Sequence, residues 1–187
     1  MKNTYHALHI VACSLLVSSS AYCQTALLTI PYIDNFENGN VGWTVVTTGV
    51  SSTRWELGTP TFGATNSTHS GNYCWDVNLN TAYEDKANTT LVSPIINCKY
   101  LSSIFVSFWV NYKTELFDVA GLYYSFNGEA PVFITEYNYK SHGWVHHAYA
   151  LNAGPLDSTL QFSFNFTSDG TKIFSRVGCD KNIVVCA

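Results

Sequence analysis

Apolar and polar residues alternate along much of the chain, and a period of two is typical of β-strands with one buried face. In the segment Thr159–Thr167, one leucine and three phenylalanines alternate with Gln161, Ser163 and Asn165. This segment is therefore predicted to be a strand whose apolar face packs inward. Further β-rich runs are Trp43–Val50, Thr53–Leu57, Tyr73–Leu79, Asn88–Ser93, Leu101–Tyr112, Val119–Phe126, Val132–Tyr139, Trp144–Leu151 and Ile183–Cys186.

Two aromatic residues interrupt the polar face of one predicted strand. The run Leu101–Tyr112 alternates, but Phe105 and Trp109 stand where the alternation requires polar side chains. The pattern leaves two interpretations open. The two rings either pack beneath a loop or form an exposed aromatic platform.

The predicted strands number about ten, and Gly, Asn, Pro and Ser separate them at short intervals. Beyond the N-terminal region, no window of helical length combines apolar residues at helical spacing with a cap and a stop. Asn127 and Gly128 supply a tight hairpin turn. We therefore expect an all-β fold, an antiparallel two-sheet jelly-roll sandwich that forms one domain over residues 25–187.

The N-terminal residues have the pattern of a secretory signal peptide. The apolar run Ala7–Val17 is too short to span a bilayer, and Ala21 and Cys23 fit the small-x-small rule for cleavage. We therefore predict that residues 1–23 are removed on export. Acylation at Cys23 is the alternative, which the bulky Tyr22 disfavours. No later segment is long and apolar enough to span a membrane.

Composition and charge narrow the possible functions. The chain has 187 residues, of which 47% are hydrophobic and only 12% charged, so it is not a disordered protein. Its 9 Lys and Arg residues against 13 Asp and Glu residues give a net charge of -4. Because there is no basic stripe to neutralise phosphates, nucleic acids and anionic membrane surfaces are disfavoured as partners.

Export to an oxidising compartment would allow disulfide bonds. Four cysteines follow the predicted signal peptide, and they allow three pairings. If residues 179–186 form one extended strand, its two cysteines lie about 23 Å apart and pair only if the chain turns between them. A zinc site is disfavoured, because there is no Cys-x-x-Cys pair and no histidine at finger spacing. The four cysteines are Cys74, Cys98, Cys179 and Cys186.

Short motifs follow one another in a characteristic order. They are FENGNVGW (36–43), RWELGTP (54–60), ATNSTHSGNYCW (64–75), LVSP (91–94), FVSFWV (105–110), FDVAGLYYSFNG (117–128), GW (143–144) and GCDKNIVV (178–185). This order resembles the MAM-like jelly-roll modules of secreted bacterial proteins, especially those of Bacteroidetes surface and type IX-secreted proteins. The resemblance implies a concanavalin-like or galactose-binding-like sandwich, generally without catalysis, of the kind found in adhesins and beside peptidase or glycosidase domains.

The resemblance also implies a structural calcium ion. Its ligands would be the Glu37 carboxylate, backbone carbonyls of His69 or Ser70, and the Asp180 carboxylate. Calcium prefers six to eight hard oxygen ligands, and carboxylates from both terminal strands would hold the sandwich closed. Lys181, which follows Asp180, departs from the usual pattern of the family. The alternative is that both carboxylates are solvated turn residues.

The sequence contains no arrangement that predicts catalysis. His142, His146 and His147 fall in or beside a predicted strand, where residues four apart lie about 13 Å apart and neighbours face opposite sides, so they do not converge on a metal. The Glu-x-Asp-x-x-Glu string of related sandwich glucanases, the Gly-x-Ser-x-Gly nucleophile motif and phosphate-binding glycine loops are all missing. We therefore predict that the chain is not an enzyme.

Aromatic side chains provide the remaining binding chemistry, since flat rings stack on the apolar faces of sugars. Most of the 5 Trp and 12 Tyr residues are expected in the core, and Tyr123, Tyr137 and Tyr139 are the candidates for a binding platform. We predict a secreted or cell-surface, non-catalytic module that binds an extracellular glycan or protein. The alternative is an accessory domain, or a fragment, of a secreted peptidase or glycosidase.

Overall fold

The computed structural model describes residues 28–171 and 176–187, with the backbone alone for Ala64 and residues 176–182. The predicted signal peptide and Cys23 lie outside the described residues. Thirteen strands and a short 3-10 helix at Gly63–Thr65 form within the described ranges. The strands are β1 Leu28–Thr29, β2 Tyr32–Asp34, β3 Thr44–Thr47, β4 Trp55–Gly58, β5 Cys74–Val77, β6 Asn88–Val92, β7 Ile96–Asn97, β8 Ser103–Lys113, β9 Val119–Phe126, β10 Val132–Tyr137, β11 Val145–Asn152, β12 Thr159–Thr167 and β13 Arg176–Cys186.

The strands form two sheets that pack face to face, so the predicted jelly-roll sandwich is confirmed. In the first sheet, called sheet A, β12 is central: β9 pairs along one side, and β6 and β7 pair with successive parts of the other. β10 extends the sheet beyond β9, β3 lies beyond β6, and β1 lies beyond β7. Among the described residues of sheet A, the two-residue β1–β7 ladder is parallel and the other ladders are antiparallel.

The second sheet, called sheet B, is built around β13. β8 pairs along one side of β13, while β5 and then β2 pair with the other side. β11 lies beyond β8 in an uninterrupted eight-residue ladder, and β4 lies beyond β5. The first and last strands of sheet B are therefore direct neighbours.

The alternation in the sequence places the large apolar side chains between the sheets. Phe108 of β8 meets Phe164 of β12 edge to face, with ring centroids 5.2 Å apart, and Trp55 of β4 lies 6.3 Å from the same ring. Burial of each such ring stabilises the fold by roughly 1.5–3 kcal/mol. The other large side chains that are fully buried are Trp43, Tyr83, Phe36, Phe162, Phe166, Leu91, Ile96, Ile104 and Leu122.

A buried carboxylate organises the segment that carries the FENGNVGW motif. Asp34, at the end of β2, accepts hydrogen bonds from the Tyr32 hydroxyl at 2.9 Å and the Trp43 indole at 2.9 Å. It also accepts the backbone N–H of Phe36 at 2.8 Å. Because three donors satisfy this buried group, it fixes the turn that brings Trp43 into the core. Burial and the nearby Asp34 carboxylate raise the pKa of the Tyr32 hydroxyl.

A long loop covers part of the outer face of sheet B, and it decides between the two interpretations of Phe105 and Trp109. The loop, residues 59–73, joins β4 to β5. Within it, the His69 ring stacks on Trp109 with centroids 3.8 Å apart, and Ser67 accepts a hydrogen bond from the Trp144 indole at 3.2 Å. Trp109 therefore packs beneath a loop, whereas Phe105 remains 46% exposed.

Three of the four cysteines after the predicted signal peptide lie on strands of sheet B, and Cys98 directly follows β7 of sheet A. Within the described part of the chain, Cys98 and Cys186 form no disulfide. Cys179 and Cys186 lie on the same strand, β13, so the chain does not turn back between them. The side chain of Cys179 lies outside the described residues. No helix in the described ranges is long and apolar enough to cross a membrane.

Candidate functional site

The outer face of sheet A carries a groove that follows the central strand β12. Two adjoining depressions, of about 250 and 230 Å³, share Thr90, Pro131 and Ser163. Their positions place the groove over β6, β12 and β9, with the β9–β10 turn forming one wall. The remaining lining residues are Val92, Ser125, Gly128, Glu129, Gln161 and Phe162 in the larger depression and Tyr123 and Asn165 in the smaller one.

The register of the ladders assembles this groove from the polar positions of three strands. Ser163 of β12 lies between Val92 of β6 and Tyr123 of β9. Two residues farther along β12, Asn165 lies between Thr90 and Gly121. Because alternate residues of a strand face the same side, the outward set of each strand comes together on one surface.

Tyr123 is the aromatic side chain that faces the groove, since Phe162 is buried, and Gly121 determines how the Tyr123 ring lies. A Cβ atom at Gly121 would stand 2.7 Å from Cε2 and 2.9 Å from the hydroxyl of Tyr123. The half-buried ring therefore folds back along its own strand into space that only a glycine leaves. Phe133 of β10 packs against it edge to face, with centroids 5.6 Å apart.

Two amide side chains are held in fixed orientations in the groove. Asn165 donates from its nitrogen to Oδ1 of Asn88 at 3.0 Å and to the Thr90 hydroxyl at 2.8 Å. Gln161 donates from its nitrogen to the carbonyl of Ser93 at 3.0 Å. Asn165 thus uses both N–H donors of its amide, whereas Gln161 uses one. Both carbonyl oxygens and the second N–H of Gln161 provide the further hydrogen-bonding capacity of these side chains.

The structure does not bring the three candidate tyrosines together. Tyr123 lies in the groove, but Tyr137 is only 2% exposed and its hydroxyl lies 3.1 Å from that of Tyr149 in the core. Tyr139 is 55% exposed but lies past the end of β10 at φ +65°, where its carbonyl accepts the Thr114 N–H at 2.6 Å. Only Tyr123 is positioned to act as a platform in the groove.

The residues of the predicted calcium site have other contacts. The two carboxylate oxygens of Glu37 accept hydrogen bonds from the backbone N–H groups of Asn72 and Tyr73, at 2.9 and 3.0 Å, and from the Asn72 amide at 3.1 Å. His69 lies against Trp109, and Ser70 follows it in the half-buried part of the loop. Glu37 thus stabilises the backbone immediately before β5.

The fourth predicted ligand is described only through its backbone. Asp180 lies opposite Trp109 in the β8–β13 ladder, and its side chain lies outside the described residues. Among the residues whose side chains are described, no group of three or more histidine, cysteine or acidic side chains is placed to hold a metal ion. Calcium binding through these residues therefore stays a prediction.

The three histidines of the β11 region do not converge, as the strand pattern predicts. His146 faces outward and lies 5.3 Å from Trp109, measured between ring centroids, whereas His147 faces inward against Tyr149. Burial, followed by the neighbouring charge of His146, lowers the pKa of His147. His142 is exposed in the preceding loop.

Sequence comparison finds no matching family model. The chain is 32% identical over 163 residues to Bacillopeptidase F of Bacillus subtilis (strain 168), a match that covers 82% of this chain and 11% of that protein. The chain therefore spans a small part of the curated relative that it matches.

Solved structures share the fold. One is the carbohydrate-binding module TmCBM61 in complex with β-1,4-galactotriose, with a TM-score of 0.56, 14% identity and coverage of 80% of this chain and 92% of that one. Another is the K3 cleaved adhesin domain of Lys-gingipain from Porphyromonas gingivalis W83, with a TM-score of 0.56, 16% identity and coverage of 83% and 97%. At these identities the similarity shows a common β-sandwich fold, and function must be argued from the site.

Proposed function

We propose that the chain is a non-catalytic carbohydrate-binding module whose ligand occupies the groove on sheet A. The observation that carries this proposal is the combination of the Tyr123 ring with fixed amide and hydroxyl groups in one surface depression. Aromatic rings stack on the apolar C–H faces of sugars, and amides and hydroxyls hydrogen-bond their hydroxyl groups. The fold shared with a galactotriose-binding module supports the same proposal.

The groove is better suited to binding than to catalysis. Glycoside hydrolysis requires two carboxyl groups placed on either side of the scissile bond. Among the described residues that line the groove, Glu129 is the only carboxylate. The lining therefore supports recognition of a glycan without cleavage.

Affinity electrophoresis tests this function directly. The protein beginning at Gln24 would be run through gels that contain β-1,4-galactan, xylan, mannan or mixed-linkage glucan. We expect at least one polysaccharide to retard the protein, and Tyr123→Ala to weaken that interaction about tenfold or more. Tyr100→Ala is the matched control, because Tyr100 is 89% exposed and lies outside the residues that line the groove.

The possible results separate the site from the function. Retardation that Tyr123→Ala removes and Tyr100→Ala preserves would assign the binding to the groove. Retardation that neither variant changes would place the glycan elsewhere on the module. Free migration through every gel, by a folded protein, would contradict carbohydrate binding and move the proposal to a protein ligand.

A second candidate function is an accessory role beside a secreted hydrolase. The similarity to 11% of Bacillopeptidase F favours it, because a module of this kind occupies a small part of a much longer protein. In that case the module would direct a separate catalytic domain to its substrate. Sequencing the full reading frame around the gene segment tests this role, and a frame without a hydrolase domain would contradict it.

The proposed setting is extracellular. The predicted signal peptide and the adhesin domains that share the fold of the chain both support export. We also propose, from the order of its motifs, that the chain is a MAM-like module of the type IX-secreted group. Detection of the mature protein in the culture medium or on the cell surface, with Gln24 at its N-terminus, tests the proposed export.

A further inference from the structure

The distribution of charge over the two sheets is uneven. The seven strands of sheet A contain no lysine or arginine, and Glu136 of β10 is their only charged residue. The strands of sheet B, in contrast, carry both signs, including Lys113, Glu56 and Asp76. The proposed binding face is therefore the sheet without basic residues.

One carboxylate lines the groove, and a second lies beside it on β10. Glu129 lines the larger depression in the β9–β10 turn, close to Ser125, whose hydroxyl donates to the Glu129 carbonyl at 2.7 Å. Glu136 lies opposite Gly121 in the β9–β10 ladder, next to the space that the Tyr123 ring occupies. Both carboxylates are exposed. The described lining residues of the two depressions include no lysine, arginine or histidine.

We propose that the groove accepts uncharged glycans and rejects glycans that carry carboxylate or sulfate groups. This inference rests on the proposed carbohydrate-binding function and names the chemical class of its ligand. An acidic sugar recognised by a protein is normally met by arginine or lysine, which supplies charge-assisted hydrogen bonds. Here an anionic ligand would lose its hydration water without gaining a basic partner, and it would lie close to the Glu129 and Glu136 carboxylates.

The repulsion between the carboxylates and an acidic glycan is moderate, but it acts on every charged sugar unit that binds. Exposed charges interact by a few tenths to about 1 kcal/mol each, and salt screens that interaction over about 10 Å at 0.1 M. The net charge of -4 adds a long-range repulsion of the same sign. Discrimination is therefore expected to be strong at low salt and to weaken as salt is added.

A matched pair of polymers tests the proposal without a change in backbone or linkage. The first probe is β-1,4-galactan, and the second is the same preparation after oxidation of its primary alcohols to carboxylates. Any other uncharged polysaccharide that retards the protein in the gel panel would be treated in the same way. Binding of both forms would be measured by isothermal titration calorimetry at low and at physiological salt.

We expect the wild-type protein to bind the uncharged form and to bind the oxidised form at least about fivefold more weakly. The double variant Glu129→Lys/Glu136→Lys should gain affinity for the oxidised form by a similar factor, and added salt should reduce that gain. Glu129→Lys alone would be measured beside the double variant. Asp85→Lys is its charge control, because Asp85 is exposed and lies outside the groove lining.

The outcomes distinguish this inference from the function on which it rests. Equal or tighter binding of the oxidised polymer by the wild-type protein would overturn the inference and leave carbohydrate binding intact. The same holds if Asp85→Lys raises affinity for the oxidised form as much as Glu129→Lys does, because general net charge would then explain the effect. Absence of binding to both polymer forms and to acidic polysaccharides would overturn the proposed function as well.

Discussion

At the scale of single residues, Gly121 controls the proposed platform. An alanine methyl group there would stand 2.7 Å from the Tyr123 ring, which would have to rotate away from the strand. We expect Gly121→Ala to weaken glycan binding by about tenfold, because the stacking face is lost. The free energy of unfolding should change little, since the atom displaced is the far end of a mobile side chain.

Three measurements check this expectation together: affinity electrophoresis, thermal unfolding and the near-ultraviolet circular dichroism of the tyrosines. Gly170→Ala is the matched control, because Gly170 lies in an exposed loop where a Cβ has ordinary contacts. Unchanged affinity in Gly121→Ala, together with a changed tyrosine signal, would show that the ring orientation does not matter for binding.

A second residue-scale prediction concerns the buried carboxylate of Asp34. Asp34→Ala would leave the buried Tyr32 hydroxyl and Trp43 indole without an acceptor. We expect the free energy of unfolding to fall by about 3 kcal/mol, measured by urea denaturation.

The control for Asp34 is an exposed carboxylate with a similar number of bonds. Glu84 accepts hydrogen bonds from both the hydroxyl and the backbone N–H of Ser52, and from the Ser51 hydroxyl. Because water can replace the lost acceptor at the surface, Glu84→Ala should cost much less. Equal losses in the two variants would contradict the importance of burial.

The sequence predicts some groove residues and misses others for a physical reason. Alternation in Thr159–Thr167 correctly assigns Gln161, Ser163 and Asn165 to the polar outer face. It does not predict that β6 and β9 pair with β12. The register of these two ladders brings Thr90 and Tyr123 into the same depression. The groove therefore depends on which strands pair and in which register, and alternation alone does not determine either.

At the scale of strands, an irregularity explains why two aromatic residues of β10 face opposite sides. Uninterrupted alternation would place Phe133 and Tyr137 on one face. The register of β10 against β9 shifts between Phe133 and Thr135, so Phe133 faces the groove while Tyr137 enters the core. A one-residue shift reverses the facing of every later side chain. No turn signal in the sequence marks this shift.

The two edge strands β10 and β11 meet through a small polar cluster. At the edge of the core, the Tyr149 hydroxyl lies 3.1 Å from the Tyr137 hydroxyl and 3.2 Å from Nδ1 of His147. Tyr137 belongs to sheet A and Tyr149 to sheet B, so the contact connects the sheets where neither has a further strand. Since His147 is half-buried among aromatic rings, its protonation is unfavourable in the folded protein.

Stability should consequently depend on pH. The pKa of His147 is lowered in the folded protein, so the unfolded chain binds a proton at higher pH than the folded chain does. The free energy of unfolding should therefore fall as the pH drops through about 6.5, and this decline ends once the folded protein is protonated too. Urea denaturation between about pH 7.5 and 5 measures the effect.

His147→Gln should remove much of this pH dependence, whereas His142→Gln, in an exposed loop, should preserve it. A wild-type stability that is constant over the range would contradict the prediction. A decline that persists in His147→Gln would assign the effect to other groups.

The ten predicted β-rich runs all contain strands, whereas the short strands β1, β2 and β7 are missing from the prediction. Each of these three has only two or three residues, which is too few to show a period of two. Pairing with longer neighbours, and not local sequence preference, makes them strands. The β-sandwich itself follows from the longer runs.

At the scale of the whole molecule, the two outer faces differ in what covers them. The 59–73 loop packs over part of sheet B, while the groove leaves the centre of sheet A open. Sequence reasoning predicts two sheets but not this asymmetry, because the contact between His69 and Trp109 joins residues 40 positions apart. This contact depends on the path of the 59–73 loop, and the sequence pattern does not predict that path.

The predicted calcium ion would act on the molecule as a whole, because its ligands come from opposite ends of the chain. If it binds only the folded state, thermal unfolding in millimolar calcium should occur several degrees higher than in chelator. Glu37→Gln should remove that difference and, by weakening the contacts to Asn72 and Tyr73, should also lower stability in chelator. Identical unfolding temperatures in calcium and chelator would contradict the calcium prediction.

The neighbouring positions of β2 and β13 determine how the module responds to mechanical load. Tyr32 lies opposite Val185, so the beginning of β2 and the end of β13 are side by side. A force that separates these two positions acts across a short ladder and opens its bonds one after another, which requires less force than shearing them together. The strands beneath the groove, β6, β9 and β12, are not in this ladder. Under tension applied at Tyr32 and Val185, the β2–β13 ladder would therefore open before the ladders that join β6, β9 and β12 beneath the groove.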